Sequence, residues 1–266
     1  MLSADLHIHS TISDGTYSVN EIIQSAKNAK LDAIAITDHD TLEHRNSIPV
    51  TDGLQVLCGI EISAIDKVTK TKAHILGYNI KEPKKVEALT HPLLERRHEN
   101  SLRQIKRLEE KGFYFDLDKI SKANGKFIYK QHIMEFLVMT AQVKDMFGSF
   151  YSTVFKNGGI CDFDIEYIDV RTAVSTINSA GGKAVLAHSG QQKNFYLIDK
   201  LVPLGLDGLE YNHPENSDED KASIRKYAEK YGLFLTGGSD FHGDNDSKSV
   251  KIGDYLSEES GVLALC

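Results

Sequence analysis

Histidines and carboxylates that could bind a metal ion recur near the ends of apolar runs in this sequence. His7 and His9 lie two residues apart around the end of the run 2–8, so on a β-strand their imidazoles point to the same face. Two such imidazoles can ligate a divalent metal, although a single pair is as often one buried core histidine beside an exposed one. The same residue types follow later apolar runs, at Asp38-His39-Asp40, His188 and Asp240-Phe241-His242. This recurrence predicts one shared site.

The chemistry of these residue types favours a transition metal. Imidazole nitrogens and carboxylate oxygens without a thiolate suit Mn²⁺, Zn²⁺ or Fe²⁺ better than they suit Mg²⁺ or Ca²⁺ alone. Glu61 lies inside the apolar run 54–62, where a carboxylate is costly unless it is paired or bound to a metal. Glu61 is therefore a candidate for the same site.

Predicted strands and helices alternate around these residues. The run 32–37 is continuously apolar, as expected for a parallel strand that is buried on both faces. Further strands are predicted at 54–62, 73–80, 183–188, 208–211 and 234–237, and helices at 18–30, 83–112, 169–180, from 189 to 204, and 219–231. Repeated strand–helix units of this length indicate a parallel sheet.

The positions of the candidate residues favour a closed barrel over an open sheet. In a (β/α) barrel the carboxyl ends of the strands meet at one mouth, whereas an open sheet spreads them along one edge. The candidates at or just after strand ends are His7, His9, Asp14, His39, Glu61, His188, Asp240 and His242. We therefore expect an α/β barrel with its site at that mouth.

One segment breaks the alternation and predicts an insertion. Residues 116–164 contain a helix-like stretch, 131–144, and we interpret them as a mostly helical subdomain within a catalytic barrel formed by 1–115 and 165–266. The long helix at 83–112 is basic on its polar face, which we interpret as a solvated surface.

The overall composition excludes several classes of protein. The chain of 266 residues has no apolar run long enough to span a bilayer and no basic-then-apolar leader, so cytoplasmic residence is the default expectation. Cys58, Cys161 and Cys266 are scattered and odd in number, which argues against a disulfide framework. The net charge of −7 argues against stable binding to duplex nucleic acid, but it permits a small anion at a metal-loaded cleft.

Four motifs together closely resemble the PHP family, the polymerase and histidinol phosphatase superfamily of metal-dependent phosphoesterases. They are residues 5–16 (DLHIHSTISDGT), 35–41 (AITDHDT), 59–63 (GIEIS) and 237–243 (GGSDFHG), with Ala187-His188 between the last two. Within that family the chain looks most like stand-alone bacterial nucleoside 3′,5′-bisphosphate phosphatases that also act as 5′-to-3′ exoribonucleases. The resemblance implies a distorted seven-stranded (β/α) barrel with a small helical insertion.

The resemblance also implies a set of metal ligands. One metal would be held by His7, His9, Glu61 and Asp240. Glu61 would bridge to a second metal, completed by His74 and His188. A third metal, which not every member binds, would be held by Asp14, His39 and His242. His39, Glu61 and Asp240 are the residues expected to take part in catalysis.

The implied reaction is hydrolysis of a phosphate monoester with two to three divalent transition metals as cofactors. A carboxylate bridge holds two metals about 3.5–4 Å apart, and a hydroxide between them would attack phosphorus. The expected partner is a small phosphorylated substrate, such as a nucleoside 3′,5′-bisphosphate, or the 5′ end of a short RNA. Lys130 and His132 are candidate substrate contacts, because their segment of the chain also carries the aromatic residues Phe127 and Tyr129. Cationic side chains can pair with a phosphate, and aromatic rings can stack on a base. The alternative is that this segment only forms the core of the subdomain.

Other functions remain open from the residues alone. A metal-dependent amidohydrolase that cleaves carbon–nitrogen bonds uses similar clusters, but the late aspartate here lies in Asp-Phe-His, which is the PHP pattern. A histidinol-phosphate phosphatase and a metal-binding regulatory domain without activity are further alternatives. The histidines on polar stretches are expected at the surface: His44, His91, His98 and His213.

Overall fold

The computed structural model describes residues 2–243 and 249–266 as two β-sheets surrounded by helices. The first sheet has three parallel strands, β1 (Ala4–Ile8), β2 (Ala33–Ile36) and β3 (Gln55–Cys58). The second has six strands in the order β6-β4-β5-β7-β8-β9. Their bounds are β4 Ile60–Ile65, β5 Lys72–Tyr78, β6 Ile168–Asp169, β7 Lys183–Leu186, β8 Leu206–Asn212 and β9 Phe234–Gly237.

The helices lie in the links between strands and around the insertion. They are α1 Val19–Asn28, α2 Pro83–Glu109, α3 Lys130–Met139, α4 Ser149–Val154, α5 Val170–Ser179, α6 Ser189–Gln192, α7 Ile198–Leu201, α8 Asp218–Tyr231 and α9 Glu259–Leu265. Ser18 and Glu21 form a capping box that starts α1. Within the described ranges, no helix combines the length and apolar character that a bilayer crossing requires.

The predicted strand 54–62 is in fact two strands in different sheets. Gly59 separates β3 from β4, and a Cβ atom placed on Gly59 would lie 2.8 Å from the side chain of Thr37 and 3.1 Å from the carbonyl oxygen of Gly77. Glycine therefore permits the close approach at which the chain leaves the first sheet and enters the second.

The expectation of an all-parallel sheet is wrong for β5, which runs antiparallel to both β4 and β7. The link from β4 to β5 is too short for a helical crossover, so the chain turns back directly. As a result, the start of β5 lies beside the end of β4, with His74 opposite Ser63. This reversal brings His74 to the same edge as the ends of the parallel strands.

Isolated bridges join the two sheets at two points, Ile8 to Phe241 and His39 to Glu61. Because the described strands divide into two sheets, the structure shows an α/β fold with mixed strand directions, and a closed seven-stranded barrel is not shown. Apolar side chains from both sheets pack together in the space between them, among them Leu6, Ala35, Leu76 and Val185. The largest apolar cluster lies outside the six-stranded sheet, under α5, α7 and α8.

The insertion is less helical than expected. Residues 116–164 contain only α3 and α4 as helices in the described structure, and α3 ends at Met139 instead of continuing to 144. Ile133, Phe136 and Phe155 of this segment pack with Leu108 from the end of α2 in a separate apolar cluster. The predicted helix up to 204 is likewise broken into α6, α7 and single 3₁₀ turns.

Candidate metal centre

The structure brings eight of the nine sequence-predicted ligands into three overlapping groups of possible metal-binding atoms. In each group the candidate atoms lie within 4.8 Å of one another. The first cage consists of His7, His9, Glu61 and Asp240. The second cage consists of His39, Glu61 and His74, and the third of His9, Asp14, His39 and His242. The ninth predicted ligand, His188, adjoins the second cage through Glu61.

Glu61 connects the first and second cages. Its Oε2 atom lies 3.2 Å from Nε2 of His7 and 3.1 Å from Nε2 of His9. Its Oε1 atom lies 2.7 Å from Nδ1 of His74 and 2.9 Å from Nε2 of His188. The two oxygens of one fully buried carboxylate thus face different histidine pairs, as a bridging ligand would.

His39 belongs to two cages, whereas the resemblance implied only the third. Its Nδ1 atom lies 3.2 Å from Oε2 of Glu61, and its Nε2 atom lies 3.9 Å from Oδ2 of Asp14. The parallel bridge between His39 and Glu61 explains this position, because it fixes the two residues side by side where the sheets meet.

Several of these atoms are buried without a hydrogen-bond partner, which tests whether the residues fit a metal ion. Both carboxylate oxygens of Asp14, Nδ1 of His9, Nδ1 of His39 and Oε2 of Glu61 are in this state. Buried polar atoms without partners are costly, and carboxylates more so. These atoms lie close together, since Nδ1 of His39 is 3.2 Å from Oε2 of Glu61 and Nδ1 of His9 is 3.8 Å from Oδ1 of Asp14. The mixed nitrogen and oxygen donors therefore fit divalent transition metals.

The electrostatics of the centre keep its carboxylates ionised. Burial opposes the charge on Asp14, but the nearby His39, His242 and His9 outweigh it and lower the pKa of Asp14. The pKa values of Glu61 and Asp240 are held well below their ordinary range in the same way. Conversely, burial disfavours the charged form of His9, yet the carboxylates of Asp240 and Glu61 beside it raise its pKa to about 10. A metal cation at these nitrogens would compete with protons.

Backbone strain is concentrated at ligand positions. His188 and Asp240 have positive φ angles of 24° and 52°, in a region that residues other than glycine rarely occupy. Gly238 allows the approach of the last strand, because a Cβ atom there would lie 2.4 Å from the backbone nitrogen of His7. Such strain persists where the surrounding structure enforces it, and it is common at functional sites.

Sequence reasoning missed Glu210, which orients two of the candidate ligands. Its Oε1 atom lies 2.8 Å from Nδ1 of His7, and its Oε2 atom accepts a hydrogen bond from the backbone N–H of His188. A carboxylate behind a ligating histidine fixes the ring orientation and raises its basicity. The signal was present, because Glu210 is a carboxylate within the predicted strand 208–211, as Glu61 is within 54–62.

His213 and His44 are buried, so the expectation that they lie at the surface is wrong. His213 lies 3.4 Å from Oδ2 of Asp240 through Nε2, and its Nδ1 accepts a hydrogen bond from the backbone of Glu215. His44 lies 2.8 Å from Oδ2 of Asp38 through Nδ1. Both lie on polar stretches of sequence, but in the fold each contacts a carboxylate of the centre or of the loops around it.

Asp38 holds the loop that precedes Asp14. It accepts hydrogen bonds from the backbone N–H and hydroxyl of Ser10 and from the hydroxyl of Ser13, each at 2.7 Å.

The two other histidines expected at the surface differ from each other. His91 is exposed, whereas His98 is half-buried and accepts a hydrogen bond from the backbone N–H of Ile128.

A cationic wall stands beside the cages. His39 and His74 line a cleft of about 490 Å³ that is also lined by Lys72, Arg97, Lys130 and Lys156. Lys72 is paired with Asp164, whereas Lys130 and Lys156 make no ion pair with a carboxylate in the described part of the chain. Burial, together with Lys72, Arg97 and Lys156, lowers the pKa of Lys130.

The interpretation that the basic residues of α2 form only a solvated surface is wrong for Arg97. Its Nη2 atom lies 2.8 Å from Oδ2 of the buried Asp40 and 2.9 Å from the hydroxyl of Ser63. The other predicted substrate contact, His132, is almost fully buried at the start of α3, and its Nδ1 accepts a hydrogen bond from the backbone N–H of Tyr129.

Comparisons with known proteins agree with this geometry. The phosphoribosyl 1,2-cyclic phosphate 1,2-diphosphodiesterase of Eggerthella lenta is 40% identical over 245 residues, which cover 90% of this chain and 94% of that protein. The 3′,5′-nucleoside bisphosphate phosphatase of Chromobacterium violaceum is 30% identical over 256 residues, covering 91% and 88%. A crystal structure from Bifidobacterium adolescentis, whose name includes metal-dependent phosphoesterase, has a TM-score of 0.86 at 25% identity and covers 98% of this chain and 94% of that chain. The model of the PHP domain family matches residues 5–184. With more than half of its length matched by that model, the chain belongs to the PHP domain family.

Proposed function

We propose that this protein, a metal-dependent phosphoesterase, hydrolyses a cyclic phosphodiester on a sugar that carries a second phosphate. One observation carries the proposal: the cage residues His39 and His74 line the same cleft as Lys130 and Lys156, two lysines that make no ion pair with a carboxylate among the residues that the structure describes. The cages would take the phosphodiester, and the lysines would take the second phosphate. The similarity to the Eggerthella lenta protein, named for a phosphoribosyl cyclic phosphate, supports this choice.

The proposal includes a particular architecture. We take the two bridged sheets as a distorted (β/α) barrel of residues 1–115 and 165–266, with 116–164 as an insertion that forms one wall of the mouth. The apolar cluster between the two sheets supports a filled barrel interior. The separate apolar cluster of the insertion supports the division of the chain.

The ligand assignments belong to the same proposal. His7, His9, Glu61 and Asp240 would hold one ion, and Glu61 with His74 and His188 a second. Asp14, His39 and His242 would hold a third, with His9 as a further ligand. The ions would be two to three of Mn²⁺, Zn²⁺ or Fe²⁺, which match the nitrogen and oxygen donors.

The chain's own residues would divide the reaction among them. Bound divalent ions lower the pKa of water and neutralise charge on phosphoryl oxygens. Asp240 and His39 line the two pockets that meet beside the cages, so they are placed to take a proton from the attacking water. Ring opening consumes one water, breaks one phosphorus–oxygen ester bond and leaves a phosphate monoester. A second water would then release inorganic phosphate.

A second candidate is hydrolysis of the 3′-phosphate of a nucleoside 3′,5′-bisphosphate. The adjoining pocket is lined by Phe147 and Tyr151, whose rings lie 5.4 Å apart. Aromatic side chains at a pocket wall can stack on a nucleobase. The similarity to the Chromobacterium violaceum phosphatase also supports this candidate.

A substrate panel separates the two candidates. Protein loaded with Mn²⁺ would be assayed on phosphoribosyl 1,2-cyclic phosphate, adenosine 3′,5′-bisphosphate and bis(p-nitrophenyl) phosphate, with an N-acyl amino acid as a control for amide cleavage. We expect kcat/KM for the cyclic sugar phosphate to exceed that for the bisphosphate by at least about 100-fold, because polar recognition of a substrate group gives large discrimination. The reverse order would establish the second candidate, and comparable rates would reject the assigned substrate class.

A further inference from the structure

The start of the insertion helix α3 contacts the loop that carries His39. Tyr129, the residue before α3, is fully buried, and its hydroxyl donates a hydrogen bond of 2.9 Å to the carbonyl oxygen of His39. The guanidinium of Arg97 lies over the ring of Tyr129, 4.8 Å from its centre. The insertion and α2 thus hold the backbone of a cage residue together.

The backbone at His39 needs support because the following residue, Asp40, has a strained conformation. Asp40 has a φ angle of 60°, in the left-handed region that favours glycine. Its carboxylate accepts hydrogen bonds from the backbone N–H of Ser63 at 2.7 Å and from Arg97 at 2.8 Å. Since such strain persists only where neighbouring groups enforce it, the bond from Tyr129 adds a restraint at the point where the chain would otherwise relax.

His132, three residues later, contacts the second loop of the same cage. Its Nδ1 accepts a hydrogen bond of 3.1 Å from the backbone N–H of Tyr129, so the ring proton lies on Nε2. The ring also lines the same pocket as Asp14, whose loop it faces. Both oxygens of Asp14 are buried without hydrogen-bond partners, so the loop backbone, and not the carboxylate, is what neighbouring residues restrain.

We infer that Tyr129 and His132 are positioning residues for the third cage, so that its affinity for a metal depends on the docked insertion. The inference rests on the proposed assignment of Asp14 and His39 as ligands. It gives His132 a structural role in the centre instead of the substrate contact expected from the sequence. It also makes the effect reciprocal: a metal in the third cage must stabilise the docked insertion by the same free energy.

Metal titration tests the first half of the inference. Tyr129→Phe removes only the hydroxyl, and His132→Phe removes both ring nitrogens. Free Mn²⁺ would be followed by electron paramagnetic resonance during titration of each variant and of the wild type. We expect one equivalent of Mn²⁺ to bind about 10-fold to 100-fold more weakly to either variant than to the wild type. This is the usual cost of losing a group that orients a metal ligand. The equivalent assigned to His7, His9, Glu61 and Asp240 should bind as in the wild type.

Two controls make the outcome specific. Met139→Ala changes an exposed residue at the end of the same helix and should leave every equivalent unchanged. Asp14→Asn removes a proposed ligand directly and should weaken the same equivalent. If wild-type protein binds no more metal than Asp14→Asn, the ligand assignment in the proposed function is wrong. If Asp14→Asn loses an equivalent while both Tyr129→Phe and His132→Phe retain it, the inference alone is overturned.

Hydrogen exchange in the wild-type protein tests the second half without any variant. We expect Mn²⁺ to slow amide exchange in residues 128–133 of the insertion, because metal binding and docking are coupled. The exposed residues 117–119 of the same insertion are the internal control and should not change. Exchange in 128–133 that is the same with and without Mn²⁺, under conditions where the metal is bound, would reject the coupling even if the variants fold poorly.

Discussion

The floor and the wall of the cleft are built in contrasting ways. The floor, formed by the three cages, takes its side chains from strand ends, and groups such as Glu210 hold those side chains by hydrogen bonds. The cationic wall includes two lysines from the insertion, Lys130 and Lys156, that make no ion pair with a carboxylate in the described ranges. Backbone pairing therefore fixes the floor, whereas the two lysines of the wall lie over the rings of Phe155 and Tyr151 and can turn toward an anionic ligand.

This contrast suggests how one centre serves different substrates. Two of the similar proteins that cover most of this chain are named for different phosphate esters. A floor fixed by strand pairing can perform phosphoester hydrolysis in each, and changes in the insertion can alter what is bound beside it. The comparison predicts that substitutions in the floor affect all substrates and that substitutions in the wall affect only some.

The largest effect is expected for Glu61→Gln in the floor. The change keeps the shape of the side chain but removes the charge that faces both His7 and His74 across two cages. We expect loss of metal from both cages and a fall in kcat of at least about 1,000-fold on every substrate. Elemental analysis of the purified variant, together with turnover on a generic aryl phosphate, measures both. Wild-type metal content with near-normal turnover would show that Glu61 is only a buried carboxylate.

A smaller effect on all substrates is expected for Glu210→Gln. The amide would keep the volume of Glu210 but weaken its interaction with Nδ1 of His7. We expect metal affinity to fall about 10-fold to 100-fold, as is usual when the partner of a ligating histidine is changed. Excess Mn²⁺ should restore most of the activity, which distinguishes weaker binding from a chemical defect. A loss of activity that does not respond to Mn²⁺ would contradict this role.

A selective effect is expected for Lys130→Met in the wall. We expect kcat/KM for the substrate with a second phosphate to fall. The fall should correspond to a loss of about 1–3 kcal/mol of transition-state binding, the usual size for a charge-assisted contact. Hydrolysis of bis(p-nitrophenyl) phosphate should not change. Lys126→Met is the matched control, because Lys126 is an exposed lysine on the same segment. An equal fall on both substrates would remove the distinction between floor and wall.

The smallest effect on activity is expected for Asp66→Asn, which tests a buried carboxylate outside the cleft. Unlike Asp14, Asp66 is fully paired, with hydrogen bonds from Thr69, Arg171 and Tyr196. We expect the free energy of unfolding to fall by about 1–3 kcal/mol, while the metal content and kcat stay unchanged. Thermal unfolding followed by circular dichroism measures the first, and loss of metal in this variant would contradict the contrast with Asp14.

The same variant has an expected pH dependence. Burial opposes the charge on Asp66, but hydrogen bonds from the backbone of Val68 and from Arg171 lower its pKa to about 2. A lowered pKa stabilises the folded state above the unfolded value, near pH 4, and this contribution is lost as the pH falls toward 2. The difference in unfolding temperature between wild type and Asp66→Asn should therefore shrink from pH 5 to pH 2.5.

Much of the fold followed from local patterns. The apolar runs and caps predicted β2, β9, α1 and α8 closely, because the local apolar pattern of each matches the surface that it buries. The motifs predicted the PHP family and phosphoester hydrolysis, and both are confirmed. The reversal of β5 and the break at Gly59 were not predicted, because strand direction and sheet membership depend on pairing partners far away in the chain.

The sequence by itself determined which side chains are available for chemistry and that they follow strands, since residue type and strand periodicity are local properties. Only the tertiary structure decided that His39 lies in two cages, that Glu210 and His213 support the centre, and that Arg97 faces inward. Each of these depends on a contact between residues far apart in sequence. A buried carboxylate draws in whichever cation or imidazole the fold places beside it, and no local pattern records which one that is.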